Sequence, residues 1–427
     1  MISTTSLAIW IQRGLLLLVA IMPFHAFLSV WLGSITGYQA LWQSWKELLA
    51  LLLVGLTGWL LWKTPDLRAK LADPLFYSLG AYVTVSVLVS LLAQPAFIQI
   101  LYGAKTNFEF LALFVIAYIV ASSKLRTLIL KLILITSAVV IGFSVLQLFV
   151  LPSDFLSWFG YGPDTILPYQ LVDPAVEAIR ISSTLGGPLQ LGSFLIIPLS
   201  IVFARLLKRP QLWQVGYLAA GLIAIWGSHT RSAWLGLAVS FAVIGVARLP
   251  RRWRLPSLLA LVLAGGVALQ LLISNASVGN LQYYLFHGSL NDTGITTSTD
   301  QHAQAVTEGV NRIQEQPLGY GLGTAGPASY ESAHPFATES YYLQIGVEAG
   351  VIGLLLFGLF SLIAGWRLWK LGRTDWAAIG TLGALAGISV FNFFLHGWTD
   401  SSTAMVFWIL VGTILGSGYT KPKKRSI

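Results

Sequence analysis

Cysteine is absent from all 427 positions, which excludes disulfides and thiolate metal sites and decides nothing else. Charge is scarce: Asp, Glu, Lys and Arg make up 10% of the chain, against roughly 25% in a soluble domain. There is no H-E-x-x-H, no G-x-S-x-G and no paired acidic metal box. His287, His302 and His334 are too scattered to argue a zinc site. No metal and no cofactor are therefore expected. A cleavable leader is not expected either, because the first apolar run is long, contains Pro23 and has no A-x-A site after it. No internal repeat suggests the inverted halves of a secondary transporter.

What is abundant is apolar sequence, 56% of the chain. Runs of about 20 apolar residues, long enough to cross about 30 Å of hydrocarbon as helices, recur from end to end. They read as about twelve spans, near 13–32, 45–62, 74–93, 107–123, 127–150, 185–206, 211–228, 232–248, 255–274, 339–366, 375–395 and 401–418. The expected fold class is all-α, a polytopic membrane protein. Residues 1–274 hold spans one to nine with a medium outward loop at 151–184. Residues 275–338 form one large outward loop before helix ten, and 339–427 hold the last three spans and a basic tail.

The few charges are distributed unevenly. All but five of the 26 Lys and Arg residues fall on alternate loops, from Arg13 and the Lys63–Lys70 turn to Lys421, Lys423, Lys424 and Arg425. Basic residues mark the cytoplasmic face, so both termini are expected there. The net charge of +9 then anchors the spans beside anionic lipid and needs no nucleic-acid partner. The exceptions are Lys46, Lys105, Arg180, Arg231 and Arg312, all in outward loops.

Three outward motifs could carry chemistry. Arg180-Ile-Ser-Ser-Thr-Leu-Gly-Gly-Pro188 precedes span six, and its Arg180, Ser183 and Thr184 could surround a phosphate at a helix start. The plain alternative is a basic loop followed by a helix cap. Ser228-His-Thr-Arg231-Ser-Ala-Trp234 is a tight turn between two apolar runs. A guanidinium there costs about 2.5–3.5 kcal/mol unless it is paired. Arg offers phosphate a bidentate fork that Lys lacks, although an Arg reaching for headgroups would look the same. His229 alone reads as an interfacial histidine. The third motif, His334-Pro-Phe-Ala-Thr-Glu339-Ser-Tyr-Tyr-Leu-Gln344, runs into Glu348-Ala-Gly350-Val-Ile-Gly353. Glu339 is expected in the first turn of span ten, either as an ionised general base or as a plain helix-start charge with Thr338 as cap. Glu348, deeper in the same helix, is expected to pair with a polar group inside the bundle. The Gly319-Tyr-Gly321-Leu-Gly323 run follows a helix rather than a strand, so it reads as a turn or groove rather than a nucleotide loop. Residues from Asp300 to Glu315 have helical spacing and could lie on the membrane or cover a cavity.

With these motifs in this order, the chain resembles the O-antigen ligase and polymerase superfamily of bacterial surface-glycan enzymes. The resemblance is best from Arg180 to Gly353. It rests on Arg180-x-Ser-Ser-Thr-x-Gly-x-Pro188, Thr230-Arg231-Ser-Ala-Trp-Leu-Gly236, Pro317-Leu-Gly-Tyr-Gly-Leu-Gly323, and Glu339-Ser-Tyr-Tyr-Leu-Gln with Glu348-x-Gly-x-x-Gly353. It implies a GT-C-like membrane glycosyltransferase, metal-independent and inverting, in the cell inner membrane. Such an enzyme takes a glycan from a polyprenyl-pyrophosphate donor and passes it to a glycan, lipid or protein acceptor. By that resemblance Arg180 and Arg231 bind pyrophosphate, with Ser183, Thr184, His334 and Arg312 as further substrate contacts, and Glu339 is the base. Lipopolysaccharide ligases often carry His-Asn where this chain has Glu339-Ser340, which leaves room for a polymerase or another acceptor. Tyr161, Tyr169, Tyr283 and Tyr330 could stack on sugars. The rival reading is a transporter or flippase of lipid-linked oligosaccharide. A third, a structural partner protein, does not need two outward arginines beside a carboxylate.

Overall fold

The computed structural model describes residues 3–173, 176–250, 252–254, 256–257, 298–331, 335–336 and 338–418. Among the described residues the chain is almost entirely helical, an all-α polytopic membrane protein. Among the described residues nine helical stretches are long and apolar enough to cross a membrane, and Leu212–Gly227 and Ser401–Ser417 are shorter apolar helices. The helices are α1 (Thr4–Ile21), α2 (His25–Thr36), α3 (Gln39–Lys63), α4 (Pro74–Ala93), α5 (Phe97–Ile119) and α6 (Ser123–Phe149). They continue as α7 (Pro188–Leu206), α8 (Leu212–Gly227), α9 (Arg231–Arg248), α10 (Ser298–Glu315), α11 (Tyr341–Gly372), α12 (Trp376–Phe394) and α13 (Ser401–Ser417). The expected span at 255–274 and the basic tail lie outside the described residues.

The helices begin where the local chemistry dictates. Asp73, Asp375 and Asp400 accept backbone N–H groups at the starts of α4, α12 and α13. Pro23 interrupts the first span, giving a 3₁₀ turn at Met22–Phe24 between α1 and α2. α13 is buried along nearly its whole length. It packs on α5 through glycine faces, since a Cβ at Gly412 would meet Phe114 O at 2.3 Å. One departure from an all-α fold sits in the 151–184 loop. β1 (Gln170–Asp173) and β2 (Val176–Arg180) pair antiparallel, with Gln170 opposite Arg180.

α11 is broken at Gly350, whose φ of 70° only glycine adopts readily. The 317–323 loop fills the break. Tyr320 N–H donates to Val347 O at 2.8 Å, Gly321 N–H to Glu348 O at 2.9 Å, and Val351 N–H to Pro317 O at 2.9 Å. Gly319, Gly321 and Gly323 all have positive φ. This glycine run is thus a structural clasp on an interrupted helix. Glu348 closes it from inside, accepting from Asn107 Nδ2 at 2.8 Å and Gly323 N–H at 3.1 Å, the buried polar pairing expected of it. α10 docks on α11 through Gly309 beside Leu343 and Ile313 beside Gly346.

The basic loops gather at one end of the bundle. Arg126 pairs with Asp375, Arg367 with Asp73, and Lys208 Nζ donates to Thr374 O at 2.8 Å. Arg205 lies over Trp376 and Arg254 over Trp369. We propose, by the charge rule, that this end faces the cytoplasm. Reporter fusions after Pro250 and after Ser298 are expected on opposite sides of the membrane. Both on one side would overturn the topology.

Candidate active site

At the end of the bundle away from the basic loops is a cavity of about 520 Å³. Its walls come from distant parts of the chain: His25 and Lys46, then Gly186, Leu189 and Gln190, then Tyr330, Glu339, His396 and Asp400. Glu339 therefore faces open space. It stands outside α11 rather than in its first turn, because Ser340 takes the extended N-cap position and the helix starts at Tyr341. Ser340 Oγ is drawn away to Asn392 O at 3.1 Å. Thr338 does not cap the helix either; its hydroxyl is 3.0 Å from His396 Nε2.

His396 emerges as the neighbour of Glu339. Burial drives its imidazole pKa down to about 4, and the Glu339 charge pulls the other way. At neutral pH it is an uncharged base beside a carboxylate. Asp400, further along the wall, is raised above the ordinary carboxylate range by burial, opposed by hydrogen bonds from Thr403 and Ser402. The folded state keeps His396 neutral while an unfolded chain protonates it near pH 6.5, so below that pH the unfolded state holds the extra proton. The His396 contribution is therefore complete above about pH 6.5 and lost as pH falls towards about 4. Thermal midpoints measured across that window are expected to fall more steeply for the wild type than for His396→Gln. Parallel curves would remove this histidine from the balance.

Arg180 and Arg231 are brought together at the start of α7. Arg180 Nε donates to Ser228 O at 3.1 Å, and Nη2 to Thr230 Oγ1 at 3.2 Å. Thr230 Oγ1 in turn donates to Pro188 O at 3.1 Å. The two motifs form one interlocked unit. Burial, and then the nearby Arg231 charge, disfavour the charged form of Arg180. Burial and the Arg180 charge likewise hold His229 below its ordinary value. An anion at such a place relieves like-charge repulsion. Ser183 and His229 are two of the three non-glycine residues with positive φ among the described residues. Strain of this kind concentrates at functional sites.

The remaining expected contacts divide. Ser183 Oγ donates to Val140 O and Thr184 Oγ1 to Pro23 O, each at 2.8 Å, so both hydroxyl protons hold the turn in place. Arg312 pairs with Glu308 at 3.2 Å and covers the Phe336 ring at 3.8 Å, bracing the loop that leads to Glu339. Neither arginine of the pair is among the residues lining the cavity; Arg180 is linked to its Gly186–Gln190 segment through Thr230, which donates to Pro188 O. His334 and Tyr283 lie outside the described residues. Of the other expected stacking tyrosines, Tyr330 lines the cavity, whereas Tyr161 is buried against Val30 and Leu156.

Sequence reasoning did not find His25, Lys46, His396 or Asp400 as site residues. A signal existed for Lys46, which breaks the charge rule, and for His396 and Asp400, which share the short turn between two apolar runs. Among known families, residues 216–358 match the Wzy_C family, O-antigen ligase, which bears out the resemblance over that stretch. The matched stretch contains Arg231, Glu339 and Glu348, and ends before His396. No curated protein matches the chain.

Proposed function

Taking residues 216–358 as O-antigen-ligase-type sequence, we propose that this membrane protein is a glycosyltransferase acting at the outer face of the bacterial inner membrane. It takes a glycan from a polyprenyl-pyrophosphate donor and passes it to the hydroxyl of a glycan, lipid or protein acceptor, without metal or cofactor. The observation that carries this reading is the cavity itself. It joins Glu339 and His396 to the Gly186–Gln190 segment, whose Pro188 carbonyl is tied through Thr230 to Arg180.

Pyrophosphate is already a good leaving group. The enzyme has to hold its charge and aim a nucleophile. Arg180 and Arg231 hold the pyrophosphate at the start of α7. Glu339 accepts the acceptor's proton as oxygen attacks the anomeric carbon and the carbon–phosphate-oxygen bond breaks. His396, held by Thr338, supports the Glu339 carboxylate. Single displacement inverts the anomeric centre. NMR of the product linkage is expected to show the configuration opposite to that of the donor. Retention would require a covalent intermediate and overturn this mechanism.

A further inference from the structure

Beside the main cavity lies a smaller one of about 110 Å³, which shares Thr399 and Ser401 with it. By the measure of about 10–15 Å³ per water, it admits several hydroxyl-sized groups. Lys105, Thr106 and Glu109 enter from α5, and Trp398, Thr399 and Ser401 from the α12–α13 turn.

Its polar groups are unusual for a membrane helix. Glu109 Oε1 is buried with no hydrogen-bond partner among the described residues. An ionisable side chain within a span marks function by default, and a buried acceptor without a donor is costly. Lys105 Nζ meets Glu47 Oε1 at 2.7 Å, and Lys46 Nζ meets the same oxygen at 2.6 Å. An ammonium has three donors, so Lys105 keeps protons for a further acceptor.

The balance of charge selects the ligand. A phosphate here would face the Glu109 carboxylate, and a metal cation the Lys105 ammonium. A neutral polyol suits both, since each of its hydroxyls can donate to Glu109 and accept from Lys105. Neither arginine of the pair lines this cavity, which opens from α5 and the 399–401 turn.

We propose that the smaller cavity is a hydroxyl-binding subsite for a sugar of the acceptor, with Glu109 and Lys105 as its polar contacts. The assignment to the acceptor rests on the glycosyl-transfer reading above. Binding of a neutral sugar does not. With one saccharide anchored there, the next hydroxyl along reaches the cavity that Glu339 faces.

The test is saturation-transfer NMR on the purified full-length protein in detergent, with simple methyl hexosides as probes and inorganic phosphate as competitor. The wild type is expected to saturate at least one hexoside, and phosphate should not displace it. Glu109→Gln, an isosteric change, and Lys105→Met, at a half-exposed side chain, should each weaken that binding by roughly tenfold or more. No saturation of any hexoside by the wild type overturns the subsite. So does unchanged binding in Lys105→Met and Glu109→Gln. Binding that phosphate displaces assigns the cavity to an anion and also overturns it. If glycan transfer by the wild type is intact while the hexosides fail to bind, the subsite falls and the transferase reading stands. If hexosides bind as expected and no transfer occurs, the reverse holds.

Discussion

Glu339→Gln is expected to abolish glycan transfer while leaving binding of the lipid-linked donor nearly intact. The substitution keeps shape and hydrogen bonding and removes basicity. General base catalysis contributes about 10²–10⁴ in rate, and transfer assays in membranes should show a loss of that order. Glu339 lines the cavity, precedes the N-cap Ser340 and carries charge felt by His396. His396→Gln should lose less, because it removes the partner and leaves the base. If Glu339→Gln transfers normally and His396→Gln is dead, the base is the histidine.

The second large effect belongs to the arginines. Arg231→Lys retains charge but loses the planar fork, and is expected to lose activity nearly as Arg231→Ala does. Removing one such stabiliser costs about 10²–10³ in rate. Arg180→Ala should be at least as damaging, since it also releases Ser228 and Thr230, which fix the turn holding Arg231. Near-normal transfer by both alanine variants, with the protein present in the membrane, would move the pyrophosphate site elsewhere.

Much of the architecture was readable from the chain because lipid imposes a period and a length. Apolar runs located the long apolar helices seen among the described residues, and helical spacing located α10, expected from Asp300 and observed from Ser298. Other features depend on contacts between distant residues. The break in α11 was hidden because Gly350 looks like any glycine of an apolar helix until the 317–323 loop is seen bonded into it. The β1–β2 hairpin is short and interrupts a loop rich in turn residues. Glu348 could be read correctly because a carboxylate that deep must be paired, and Asn107 and Gly323 N–H are among its partners. His396 could not be tied to Glu339 from sequence, because no local pattern links positions that far apart. The two arginine motifs were legible singly, while their interlock through Thr230 and Pro188 was not.

The flippase reading and the transferase reading separate on the fate of the donor. A transporter moves the lipid-linked glycan intact; the proposed enzyme cleaves its glycosyl–phosphate bond. The most direct measurement is release of free polyprenyl pyrophosphate by the purified protein given lipid-linked donor and acceptor glycan, with a chelator present. The account predicts one polyprenyl pyrophosphate released per new glycosidic linkage, and none with Glu339→Gln. A donor that remains intact, or equal release by Glu339→Gln, would contradict it.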